Sequence, residues 1–159
     1  MGDRFFEDFA PGTRFESPAV TISEGEIVEF ARRYDPQFFH TDPAAARESA
    51  YGGLIASGFH TAALTFGLFL ETGAFGTPER TCSLGAHGLD ELRWLLPVRP
   101  GDTLRVVAEV AEARPSGSKP DRGIVRLKYT TLNQRDEAVM TMFGIQILKR
   151  RPTNAGDRG

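Results

Sequence analysis

The sequence has little with which to build a covalent or metal-held framework. Of its 159 residues one is cysteine, Cys82, so no disulfide forms within the chain. A single thiol fits a reducing compartment, and the chain is expected to be cytoplasmic. Histidine occurs only three times, at His40, His60 and His87. There is no HExxH pair and no cysteine cluster, and His40, Asp42 and His60 make a metal site on paper only. There is also no P-loop and no GxGxxG, so no metal and no cofactor is expected. Lys and Arg (19) do not outnumber Asp and Glu (21), and no basic stretch is built for nucleic acid. The opening "MGDRFFEDFAPG" lacks the apolar run of a signal peptide. The most apolar segment, "GLIASGFHTAALTFGLFLETGAFG", is broken by Gly, Ser, His and Thr, so no membrane span is expected.

What is present suffices for one core. A chain of this length buries roughly 70% of its unfolded surface, and no linker or repeat divides it. One domain is expected over residues 1–150, with 151–159 as a disordered tail. "APGTRFESPAVTIS" reads as a turn followed by extended chain. In "SEGEIVEFARRYD", Ser23 and Glu26 have capping-box spacing, and Ile27, Phe30, Ala31 and Tyr34 form an apolar helical face. Asp35-Pro36 ends that helix, because proline disfavours helical backbone in the residue before it. "DPAAARES" reads as a short helix with Asp42 as N-cap and Pro43 at its first position. From Ser57, an N-cap, to about Thr72 a helix is apolar around most of its circumference, which predicts burial on most sides. Trp94 and most phenylalanines are expected in the core.

The period then changes to two. Leu104, Val106, Ala108 and Val110 share one strand face, as do Val125, Leu127, Tyr129 and Thr131. "AVMTMFGIQIL" places Val139, Thr141, Phe143, Ile145 and Ile147 on one face, and "HGLDELRWLLPV" is a further strand ended at Pro97. Helices first and strands afterwards predict an α+β domain whose antiparallel sheet wraps a buried helix.

Taken in order, "YDPQFFHTD", "GGLIASGFHT" and "GLDELRWLLPVRPGDTL" resemble the MaoC-like dehydratases, which include the (R)-specific enoyl-CoA hydratases. The resemblance runs from about Thr13 to Lys149. It implies a hot-dog fold, a curved antiparallel sheet around a central helix. It also implies a homodimer or dimer of dimers, and an acyl-CoA thioester substrate bound near the subunit interface. By the same resemblance Asp35 and His40 are the catalytic pair, and the Gly58 amide faces the thioester oxygen. Ser57, beside it, is a second candidate for substrate contact. Many family members have Asp-x-Asn-Pro-x-His, and many have His before the glycine. Here Pro36 directly follows the acid, Gln37 and Phe38 occupy the Asn and Pro positions, and Ser57 precedes Gly58.

Acid and imidazole are the residue types that move protons near neutral pH, and the N–H groups opening a helix suit a developing oxyanion. Alone, an Asp before Pro reads as a helix-end residue, and a His beside two Phe as a packed one. The ordered motifs tip both toward catalysis. His60 and His87 read as structural. Phe38, Phe39, Phe59 and Phe66 are candidates to line an acyl pocket. Arg93 and Arg99 are candidates for coenzyme A phosphates or simply for solvent. The expected activity is reversible hydration of a 2-enoyl thioester. The alternatives are an acyl-CoA thioesterase on the same fold and a non-catalytic acyl-CoA binder.

Overall fold

Ser23 and Glu26 open the first helix with reciprocal caps: Glu26 N–H donates to Ser23 Oγ (3.2 Å), and Ser23 N–H to Glu26 Oε2 (2.7 Å). In the computed structural model, which describes residues 3–153, this helix is α1, Glu24–Tyr34. It follows two short strands, β1 (Arg14–Glu16) and β2 (Val20–Thr21). Two single-turn helices come next, α2 (Phe38–Thr41) and α3 (Pro43–Ala46), the latter capped by Asp42 Oδ1. The central helix α4 is Gly58–Glu71, capped by Ser57. Four long strands complete the chain: β3 (Ser83–Trp94), β4 (Thr103–Pro115), β5 (Arg122–Leu132) and β6 (Ala138–Lys149). The tail expected over 151–159 lies, from residue 154 on, outside the described residues.

The strands pair antiparallel in the order β1-β4-β5-β6-β3, with β2 also on β4. The sheet curves around α4 as a hot-dog fold, with the α4–sheet contact as its core. Phe69 meets Tyr129 edge-on (5.0 Å between centroids) and Phe75 at the same distance. Leu104, Val106, Ala108 and Val110 of β4 are buried, as are Val125, Leu127, Tyr129 and Thr131 of β5. Each Val or Leu so buried contributes about 1.5–3 kcal/mol.

A ladder of hydroxyls crosses this core. Ser57, Thr61 and Thr65 recur every four residues along α4, and all three are buried. Thr61 Oγ1 lies 3.5 Å from the Ser57 carbonyl, and Thr65 Oγ1 donates to the Thr61 carbonyl at 2.7 Å. Its one proton used, Thr65 accepts from Thr131 Oγ1 of β5 at 2.6 Å.

Three expectations are corrected. The core face of β6 is Met140, Met142, Gly144, Gln146 and Leu148, which oppose the buried residues of β5. Of the five residues read as one face, Thr141, Phe143, Ile145 and Ile147 lie on the other side, half-buried, while Val139 is buried. Both faces of β6 are apolar, so alternation alone does not choose between them. Second, α4 is not buried on most sides within one chain. Phe59 is 60% exposed, and Phe66 and Leu70 further along the helix are exposed as well. Third, Trp94 is half exposed rather than core. Among the described residues no helix is long and apolar enough to cross a membrane.

Candidate active site

Asp35 is the C-cap of α1, with φ −153° and ψ 67°. Proline stops the helix there, Gln37 N–H bonds back to the Asp35 carbonyl (2.8 Å), and the chain re-forms one turn as α2. That turn carries His40 back over Asp35: Nε2 lies 3.3 Å from Asp35 Oδ2. His40 is buried, and its Nδ1 lies 2.7 Å from the Ile55 carbonyl. A carbonyl only accepts, so Nδ1 carries the proton, and in the neutral ring the Nε2 lone pair is turned to Asp35.

Two of the positions that depart from the resembled pattern, Gln37 and Ser57, serve the carboxylate. Gln37 Nε2 donates to Asp35 Oδ1 (2.8 Å), and Ser57 Oγ donates to Oδ2 (2.7 Å). Burial by itself pushes the Asp35 carboxyl up. The hydrogen bonds from Ser57 and Gln37 outweigh it, joined by the charge of His40 when its ring is protonated, and hold the acid below the ordinary carboxylate range. Removing the Ser57 hydroxyl is therefore expected to raise the Asp35 pKa, read by NMR titration of the carboxyl carbon in Ser57→Ala. The sign for stability follows. A depressed native pKa adds stability that is present above the unfolded value and lost as pH falls through the native one, so Ser57→Ala should flatten the acid side of the stability profile.

Ser57 also caps α4, accepting from Phe59 N–H at 3.3 Å. The Gly58 N–H, first of the helix, meets no acceptor among the described residues. Asp35, His40 and Gly58 all border one cavity of ≈ 520 Å³, closed by Phe39, Tyr51, Phe59, Thr61 and the segment Trp94–Val98. Of the four phenylalanine candidates, Phe39 and Phe59 reach the cavity; Phe38 and Phe66 do not line it. Arg99 donates to the Tyr51 carbonyl (2.6 Å) and Arg93 to the Leu92 carbonyl (2.9 Å). His60 stacks on Phe30 (4.6 Å, 9° between planes), and His87 is exposed on β3. Among the described residues no three His, Cys, Asp or Glu side chains are grouped to hold a metal ion.

Sequence reasoning missed Trp94 as a wall of the cavity. Its indole lies across Gly58 so closely that a Cβ there would fall 2.2 Å from Cε2. It also missed the contacts of Ser57 and Gln37 with Asp35. Gln37, two residues from the acid, carried a local signal; Ser57, 22 residues away, carried none.

Comparison with known proteins agrees with this fold. The chain aligns over 94% of its length with the MaoC-like dehydratase from Rhodospirillum rubrum, at 44% identity, 99% coverage of that chain and a TM-score of 0.84. It is 25% identical to the (R)-hydratase from A. caviae involved in PHA biosynthesis, covering 91% of this chain and 99% of that one, with a TM-score of 0.66. The protein YdeM of Bacillus subtilis (strain 168) is 29% identical over 133 residues, 84% of this chain and 90% of that protein. The model of the MaoC like domain matches residues 7–132, and with the hot-dog fold already in view the chain belongs to the MaoC-like dehydratase family.

Proposed function

We propose that the chain hydrates a 2-enoyl-CoA thioester reversibly, forming the 3-hydroxyacyl thioester. The observation that carries this reading is the meeting of Asp35, His40 and the free Gly58 amide at one cavity. Asp35 Oδ2 and His40 Nε2 are both acceptors, 3.3 Å apart. A water that donates one O–H to either of them lies within reach of the other. The pair then takes one proton as the water oxygen bonds to the β-carbon, and returns a proton to the α-carbon. The Gly58 N–H, at the positive end of α4, donates to the thioester oxygen as enolate charge develops there.

The test is a panel of enoyl and 3-hydroxyacyl thioesters, followed by absorbance of the conjugated double bond and by a thiol reagent together. Loss of the double bond without thiol release is expected; thiol release would make the protein a thioesterase instead. Cys82 leaves the thiol readout clean, because it is buried and burial pushes its pKa up to about 11.

We infer also that the working form is a homodimer or an assembly of dimers. The exposed stripe of Phe59, Phe66 and Leu70 on α4 lies uncovered in one chain, as do Leu84 and Leu89 of β3, a strand that among the described residues pairs only with β6. Contiguous apolar surface of this kind marks an interface, and an unpaired strand edge invites another chain. Sedimentation equilibrium at micromolar concentration should give a mass of at least two chains; a mass of one chain would refute the assembly.

A further inference from the structure

Two non-glycine residues among those described hold left-handed backbone. Asp136 does so in the β5–β6 turn, and Glu91 does so within a strand, at φ 50°. Glu91 belongs to a bulge. Asp90 opposes Phe143 and Arg93 opposes Thr141, so Glu91 and Leu92 together face Met142. Side chains alternate along a strand, so one extra residue reverses every face beyond it. With regular pairing Trp94 would take the face of Thr141 and Phe143, away from α4. With the bulge it opposes the buried Met140 and lies over Gly58. On the other side of the sheet Glu91 Oε2 accepts from Arg126 Nη2 at 2.9 Å, and the Arg126 guanidinium sits 3.7 Å from the Phe143 ring centroid.

We propose that this bulge is a built positioning device, which turns Trp94 into the cavity as the surface against which the acyl thioester lies. The proposal takes its ligand class from the hydratase reading. The indole meets Phe59 edge-on (5.6 Å between centroids) and covers the Gly58 backbone. A flat apolar wall there keeps water from the amide, and a hydrogen bond to the thioester oxygen is stronger in the drier surroundings. Glu91 determines where Trp94 points, and Trp94 determines how the thioester sits.

Trp94 is the chain's one tryptophan, so its fluorescence reports this wall alone. The probe is butyryl-CoA, which is saturated and cannot be hydrated. It should change tryptophan emission in the wild type and in Glu91→Gly, because glycine keeps left-handed backbone without strain. Valine rarely adopts that conformation, so Glu91→Val should lose the response and weaken calorimetric binding about threefold to tenfold, the scale of one aromatic contact. Trp94→Ala should weaken binding to the same extent and Trp94→Phe should restore it; at a half-exposed position neither threatens the fold. Emission unmoved by bound butyryl-CoA, Glu91→Val behaving as Glu91→Gly, or Trp94→Ala binding as the wild type overturns the proposal. A protein that hydrates enoyl thioesters while Trp94 stays silent refutes the device and keeps the chemistry. One whose emission responds but which hydrates nothing does the reverse.

Discussion

Asp35→Asn is expected to slow hydration by roughly 10²-fold or more, and His40→Gln by a similar factor, the usual scale for a positioned acid or base. Asparagine keeps the shape and accepts from Ser57, but it cannot take a proton from water. Glutamine keeps hydrogen-bonding ability without an imidazole to pass a proton on. In the proposed mechanism the two groups act on one water, so losing either leaves the other without its task. The double variant should therefore fall far short of the sum of the single losses. Initial rates for all four proteins on one good enoyl thioester decide the matter. Near wild-type turnover in either single variant would remove the pair from the mechanism.

Gly58→Val should reduce turnover on the order of 10²-fold, the scale of losing one oxyanion donor, with the thermal midpoint largely kept. The reason is geometric. The position has no Cβ, and one placed there would come within 2.2 Å of the Trp94 ring. The indole is half exposed and can swing away, which spares the fold. The cavity is not spared, since the displaced ring and the new methyls stand where, in the proposed reaction, the thioester oxygen approaches the amide. Turnover equal to wild type, with unchanged tryptophan emission, would show that neither crowding takes place.

Local chemistry was readable where it is local. The Ser23–Glu26 cap, the Asp35-Pro36 stop and the Asp42 cap each involve residues within four positions, and the structure has all three. The alternation of β4 and β5 was equally plain, because each has one apolar face. In β6 both faces are apolar, and only its register with β5 chooses between them. The partners of Asp35 needed the fold as well. Ser57 is 22 residues away, and its hydroxyl meets the carboxylate only because α4 starts beside the end of α1. The sequence puts Trp94 in the core, since one extra residue in a strand leaves no compositional trace.

The hydroxyl ladder along α4 has a consequence for how the site is held in place. Leucines and phenylalanines grip a sheet without marking a position along it, and a helix on an apolar surface can slide with little loss. A slide of about half a turn, roughly 3 Å, would part Thr65 from Thr131 and leave the buried Thr131 hydroxyl facing no partner, at about 1–3 kcal/mol. The ladder thus works as a vernier, fixing the depth of α4 against β5 at one graduation. Its top rung is Ser57, bonded to Asp35, so a contact deep in the core sets the height of the helix end at the carboxylate.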